Sequence, residues 1–304
     1  MRILNVSAYK FVSLNDVEDL RRRLKARACD LGLKGTILLA PEGINLFIAG
    51  RQAQVERFLF GLAEDPRFAA LEAKRSGSEE QPFNRMLVKA KREIISLRRP
   101  AIDPSRTPAP RLAPEALKRW LDEGREVLLL DARNRFEVEL GSFDGAADLR
   151  LKSFSDLPAA MRDIDPRWKA HWQNRPVVTF CTGGIRCEKA APLLMHAGFR
   201  DVYQLDGGIL NYFAQCGGAH FHGECFVFDK RVALGPDLAP TGTAQCYACQ
   251  SVLSPEDQAR PEYAFGVSCH HCHDGDHAKH RSAATAAAEP FVEPGATARH
   301  FPAS

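Results

Sequence analysis

No stretch of this 304-residue chain approaches the roughly 18 consecutive apolar residues that a membrane span requires. The opening Met1-Arg2-Ile3-Leu4-Asn5 lacks the apolar segment of a secretion signal. These absences predict a cytoplasmic protein with no membrane partner. No glycine fingerprint for a nicotinamide or other nucleotide cofactor is present, and no pair of histidines plus a carboxylate stands at ligand spacing. The chain has little net charge, +3, but it is unevenly spread. Residues 1–100 hold 19 Lys and Arg against 12 Asp and Glu, whereas the remainder holds 22 against 26. That asymmetry turns the first third toward a polyanion. Cysteine is plentiful, at nine residues. In a reducing compartment such a number points to catalysis or metal binding rather than disulfides.

One cysteine stands out. A strand-like run, Val177-Val178-Thr179-Phe180, leads into Cys181-Thr182-Gly183-Gly184-Ile185-Arg186, and a helix-compatible segment begins near Cys187. A sulfur between a strand end and a helix start meets backbone N–H groups and the positive end of the helix dipole, which favour its anion. Gly183 and Gly184 let the loop curl around it, and Arg186 adds a permanent positive charge. Cys181 is therefore the candidate nucleophile, expected exposed at its loop, with Arg186 orienting it and Thr182, Gly183, Gly184 and Ile185 forming the active-site loop. Cys187 is either a thiol that resolves an oxidised Cys181 or a small side chain on a helix face. Asp131, Arg133 and Glu137 either line the pocket or cap a strand and a helix; Asp131 reads rather as packing and Glu137 as a surface contact.

Around this loop strands and helices alternate. Val127-Leu128-Leu129-Leu130 ends in Asp131-Ala132-Arg133, a helix runs through Leu193, Leu194 and Met195, and a strand at Val202-Tyr203 precedes Asp206-Gly207-Gly208-Ile209. Alternation of this kind indicates a parallel sheet with its site at the strand C-termini. Pro192 falls inside the expected helix and removes one of its hydrogen bonds. Residues 111–216 resemble a rhodanese (sulfurtransferase) domain, in which the loop cysteine carries a persulfide.

The first portion reads as β-α-β-β-α-β, a ferredoxin-like α+β arrangement that by itself decides no function. Its first helix places Val17, Leu20, Leu24 and Leu31 on one face and its second Val55, Phe58, Leu59 and Leu62. Cys29, on the first helix, is expected in the core. Arg21, Arg22 and Arg23, and the group Arg85, Lys89, Lys91, Arg92, Arg98 and Arg99, either track RNA phosphates or form a solvated surface.

Prolines crowd residues 93–113 and mark a linker. From residue 278 the chain is Ala-, Pro- and Thr-rich and reads as a disordered tail. Between lie Cys246-x-x-Cys249 and Cys269-x-x-Cys272, separated by 19 residues. Paired knuckles at that spacing predict a structural, zinc-ribbon-like site in which four thiolates close a tetrahedron. His270, His271 and His273 could replace a thiolate or sit in solvent. No role is assigned to Cys216 or Cys225.

The division is thus a multi-domain α/β protein: residues 1–92 a basic ferredoxin-like domain, 93–113 a linker, 114–216 the α/β domain, 217–277 a small Cys-rich region and 278–304 the tail. This order, with Glu42-Gly43-Ile44-Asn45, Cys-Thr-Gly-Gly-Ile-Arg-Cys-Glu-Lys, Gly223-Glu224-Cys225-Phe226-Val227-Phe228-Asp229 and Gly266-Val267-Ser268-Cys269, resembles the bacterial rhodanese-related tRNA uridine hydroxylases over residues 1–275. The resemblance implies oxygen-dependent formation of 5-hydroxyuridine at the tRNA wobble position, with Cys181 essential. Molecular oxygen would be the co-substrate, the tRNA anticodon region the partner, and a small electron or sulfur donor an accessory. Two other readings stay open: a plain sulfurtransferase working through a Cys181 persulfide, and an interaction module on the same scaffold.

Overall fold

Strands rich in Ile, Leu and Val, separated by amphipathic helices, build two units in the computed structural model, which describes residues 3–273. The backbone divides between Thr107 and Pro108. The expected tail lies outside the described residues.

The first unit runs β1 (Ile3–Phe11), α1 (Val17–Asp30), β2 (Lys34–Ala40), β3 (Gly43–Gly50), α2 (Gln52–Ala63), β4 (Ala73–Ser78) and β5 (Met86–Ala90). Its sheet has the order β4-β1-β3-β2-β5. The first four strands pair antiparallel, as the ferredoxin-like pattern requires, and β5 is added parallel to β2. Leu20, Leu24 and Ala28 of α1 and Val55, Phe58 and Leu62 of α2 are buried, joining Ile37, Leu39, Ile44, Leu46 and Ile48 in one core. Spacing of three and four residues puts each helical set on one stripe. Cys29 is one step past Ala28, about 100° around the helix, and is exposed. Its expected burial is thereby corrected: Ala28 fills that core position.

The segment after β5 is more ordered than a proline-rich spacer suggests. Ile94 and Leu97 are buried. The Ile94 N–H donates to Glu42 Oε1 at 2.7 Å and Asn45 Nδ2 donates to its carbonyl at 3.3 Å. Glu42 and Asn45 thus anchor a returning chain.

The second unit begins β6 (Arg111–Leu112), α3 (Pro114–Asp122), β7 (Leu128–Asp131), α4 (Arg135–Val138), β8 (Gly141–Phe143), β9 (Ala147–Asp148), α5 (Leu157–Arg162) and α6 (Pro166–Trp172). It continues with β10 (Pro176–Phe180), α7 (Cys187–His196), β11 (Asp201–Leu205) and α8 (Gly208–Cys216). The sheet order is β6-β11-β10-β7-β9, with every pairing parallel. The loop after the central strand β10 therefore opens at the C-terminal edge of the sheet, where α/β folds place ligands. Pro192 lies inside α7 without ending it.

Three short ladders follow. β12 (Phe221–Gly223) pairs with β8, β13 (Cys225–Phe226) with β14 (Ala233–Leu234), and β15 (Ala244–Gln245) with β16 (Val252–Leu253). A short α9 (Pro255–Gln258) follows β16. The chain beyond α8 is therefore stitched back onto the parallel-sheet domain through β12 before it reaches the second cysteine system.

Candidate active site and metal centre

The Cys181 loop is held from three directions. Gly184, at φ 97°, turns its N–H onto Cys181 Sγ at 3.1 Å. From α8, the N–H groups of Ile209 and Leu210 donate to the carbonyls of Cys181 and Thr182 at 2.9 and 3.1 Å. Gly208 makes this approach possible, because a Cβ there would lie 2.3 Å from the Cys181 carbonyl oxygen. From β13, the Phe226 carbonyl accepts from Thr182 Oγ1 at 3.3 Å.

Arg186 closes the loop and is 5% exposed. Its two terminal nitrogens donate to the two carboxylate oxygens of Glu137 at 2.6 and 2.7 Å. Glu137 is fully buried, so its expected surface role is corrected. It also accepts from Thr182 Oγ1 at 3.3 Å and from the Asn134 N–H at 3.1 Å. A second buried pair lies alongside: Arg133 donates to Asp131 at 2.6 Å and to the Gly141 carbonyl, and Ser142 Oγ donates to Asp131 at 2.8 Å. Asp131 is thus the packing residue expected, with an ionic rather than apolar contact.

Cys181 itself has no exposed surface, correcting the expectation that its sulfur faces solvent. Burial alone would raise its pKa; the Cys187 thiol, the Arg186 charge and the Arg186 and Gly184 amides reverse that and bring it down from 9.0 to about 5. Cys187 moves the other way, raised first by burial and then by the adjacent Cys181. The pair therefore divides into an anion and a neutral donor. Cys187 is buried at the first position of α7, beside Cys181. Cys225 is also buried here, and burial pushes its thiol up to about 12. Of the three buried thiols around the loop, Cys181 alone is shifted toward its anion, and the other two are shifted toward the protonated form. Glu137 and Cys225 were not assigned this setting from sequence; the Asn134–Glu137 capping-box spacing was the available signal for Glu137.

The four knuckle cysteines converge. Their sulfurs lie within 4.8 Å of one another, with separations of 3.8 Å for Cys246–Cys272, 3.6 Å for Cys249–Cys269 and 3.8 Å for Cys269–Cys272. A tetrahedral ion with bonds of about 2.3 Å to sulfur sets neighbouring sulfurs about 3.8 Å apart. The four residues fit a metal ion, and the Cys269 N–H donates to Cys272 Sγ at 3.3 Å, an outer hydrogen bond to one of the candidate ligands. None of His270, His271 and His273 belongs to this group among the described residues.

The basic groups differ from one another. Arg21 pairs with Glu18, Arg22 with Asp19, and Arg23 with Asp16 and Asp19, all along α1. Lys89, Lys91 and Arg92 are exposed on and just after β5.

Residues 3–94 match the family described as UPF0176 acylphosphatase like domain, and residues 113–215 match the Rhodanese-like domain. The chain is similar over nearly its whole length to proteins called tRNA uridine(34) hydroxylase. It is 52% identical over 277 residues to that of Cupriavidus pinatubonensis (90% of this chain, 97% of the relative). It is 51% identical over 281 residues to that of Burkholderia ambifaria (90% and 98%). With that of Burkholderia mallei it shares 48% over 299 residues (95% and 99%).

The difference in ultraviolet thiolate absorbance between wild type and Cys181→Ser should titrate with a midpoint near pH 5. Cys187→Ala, which removes a donor, should move that midpoint upward; a midpoint near 9 in the wild type would contradict the geometry. Elemental analysis should find about one tightly held metal ion per chain, lost in Cys269→Ser together with a lower unfolding temperature. A metal-free wild type of equal stability would rule the metal centre out.

Proposed function

This chain belongs to the tRNA uridine(34) hydroxylase family, and we propose that it converts uridine 34 of tRNA to 5-hydroxyuridine with Cys181 as the reacting sulfur. The observation that carries this reading is the buried loop in which the Gly184 amide donates to Cys181 Sγ and the Glu137-held Arg186 closes the loop beside it. A thiolate is the form that adds to an electron-poor ring carbon. We assign the reaction to the oxygen-dependent monooxygenase type.

In the sequence we propose, Cys181 Sγ forms a bond to C6 of the uracil and the displaced electron pair makes C5 nucleophilic. C5 then takes one oxygen atom of O2. The second atom leaves as water, with two electrons and two protons drawn from a small thiol-class donor. Loss of the C5 proton returns the C6–S electron pair to sulfur and restores the ring. Arg186 and the Gly184 amide hold the sulfur's charge before addition and after release, and Cys187 keeps a proton on the neighbouring thiol. Thr182 and Glu137 fix the loop so that this electrostatic field is in place before the base arrives.

The metal we assign to Cys246, Cys249, Cys269 and Cys272 is zinc, in a structural role that ties the two knuckles together. Four thiolate ligands complete the coordination. For the RNA backbone we favour Lys89, Lys91 and Arg92 over Arg21, Arg22 and Arg23, whose charges are already met by acidic neighbours on the same helix. No helix among the described residues is long and apolar enough to cross a membrane, and we place the activity in the cytoplasm with the tRNA.

Nucleoside analysis of tRNA should show 5-hydroxyuridine in cells carrying the wild type and none with Cys181→Ser, with heavy oxygen from labelled O2 in the product. Unchanged nucleosides combined with lost thiosulfate turnover would instead establish the sulfurtransferase reading. Charge reversal at Lys89, Lys91 and Arg92 should weaken tRNA binding and flatten its salt dependence by about 0.7–0.9 for each phosphate no longer neutralised. The same reversal at Arg21, Arg22 and Arg23 should do less; the opposite ranking would relocate the RNA surface.

A further inference from the structure

The turn between β13 and β14 carries an aromatic ring to the edge of the buried site. Phe228 is 52% exposed, yet it touches the machinery directly: the Arg186 guanidinium carbon lies over its ring, 5.9 Å from the centroid. Behind it, Phe226 meets Phe228 edge-on at 5.1 Å and Phe136 edge-on at 5.1 Å. Phe226 is buried and its carbonyl is the one that Thr182 Oγ1 engages. The turn is firmly built. The Val227 N–H donates to the Val232 carbonyl at 2.8 Å, and Arg231 pairs with Asp229 at 2.6 Å. Val232 is held at φ 59°, a backbone region that β-branched residues rarely adopt. Among the described residues, Phe228 is the exposed large apolar side chain that contacts a residue of the Cys181 loop.

We propose that Phe228 is the ring on which the target uracil stacks at the mouth of the Cys181 site, and so a substrate-positioning residue for the reaction. The inference rests on the uridine reading above. Cys181 has no exposed surface, so a base that reaches it must arrive past the groups that bound the loop; the loop reaches solvent at Gly183 and Ile185, and Phe228, in contact with the next residue Arg186, is the exposed ring beside them. A planar pyrimidine offers a face to an aromatic ring, and such stacking tolerates the flat, weakly polar surface of a base where a hydrogen-bonding pocket does not. Enzymes that act on one nucleobase take it out of the RNA stack and hold it between flat or apolar side chains. Arg186 already covers part of Phe228, which polarises the ring and restricts where a base can lie.

The test compares two anticodon stem–loop RNAs, one with uridine at position 34 and one with an abasic site there. Wild type should bind the uridine RNA about tenfold more tightly, the scale of one base–aromatic stack. Phe228→Ala and Phe228→Leu should reduce the uridine RNA to the abasic affinity, whereas Phe228→Tyr and Phe228→Trp should keep the preference. The Cys181 thiolate absorbance should be the same in all four variants, showing an intact loop. A preference that survives in Phe228→Ala, or that Phe228→Leu keeps in full, would overturn the stacking role and leave Phe228 an apolar cover for Arg186. A wild type that hydroxylates tRNA but does not distinguish the two RNAs would overturn it as well. A wild type that binds neither RNA and forms no 5-hydroxyuridine would remove the uridine reading itself.

Discussion

The bidentate contact between Glu137 and Arg186 is the constraint on which the active-site architecture depends. Both partners are buried, and their residues stand 49 positions apart in the chain. Glu137 is fixed by the first turn of α4, after β7, and Arg186 ends the loop after β10, so one ion pair joins the exits of two neighbouring parallel strands. Removing either partner from such a pair strands a charge away from water, at a cost of about 3–5 kcal/mol. The pair also makes the thiolate tolerable. An unpaired Arg186 would be unfavourable to bury beside Cys181. With Glu137 it can stay there and still lend its field to the sulfur, alongside the Gly184 amide and the Cys187 thiol.

Position, not residue type, separates the cysteines of this chain into distinct fates. Cys181 sits where donors and a cation converge and is ionised. Cys187 and Cys225, in the same buried region, are dominated by desolvation, to which the adjacent Cys181 adds at Cys187 and which the Arg133 charge only partly offsets at Cys225, so both are shifted toward the protonated form. Cys246, Cys249, Cys269 and Cys272 face one another at metal-site distances. Cys29 does nothing of the kind on the outside of α1. The chain after α8 links these systems. Through β12 and β13 it supplies a backbone acceptor to the Cys181 loop and then, in β15 and β16, leads to the first knuckle.

Much of this was readable from local pattern. The apolar strand entering Cys-Thr-Gly-Gly-Ile-Arg, the alternation that makes a parallel sheet, the helical stripes at Leu20 and Phe58 and the paired Cys-x-x-Cys knuckles are all short-range signals whose physics acts within a few residues. What was hidden depends on distant partners. Glu137 reads as a surface carboxylate until β7 and β10 bring it to Arg186, and the burial of Cys181 and Cys187 follows from the loop's closure. The same holds for Ile94, whose proline-rich surroundings suggest extended chain although Glu42 and Asn45 capture its backbone. Exposure of Cys181 was misjudged because a loop at a sheet edge is ordinarily open, and nothing local in Phe226 or Phe228 announces that β13 packs on Thr182. Among the arginines, the run at 21–23 looks basic in sequence, but the acidic residues at 16, 18 and 19 fall three to seven positions earlier and meet them on the helix.

In the proposed reaction Cys181 Sγ is the atom that joins the base. A stem–loop RNA carrying 5-fluorouridine at position 34 blocks the step in which the C5 proton leaves, so a sulfur that has added to C6 should remain attached. Mass spectrometry of the proteolysed complex should then find the RNA fragment on the peptide that contains Cys181, and none in the Cys181→Ser protein. An enzyme that hydroxylates the ordinary RNA yet leaves Cys181 unmodified by the fluorinated one would contradict it.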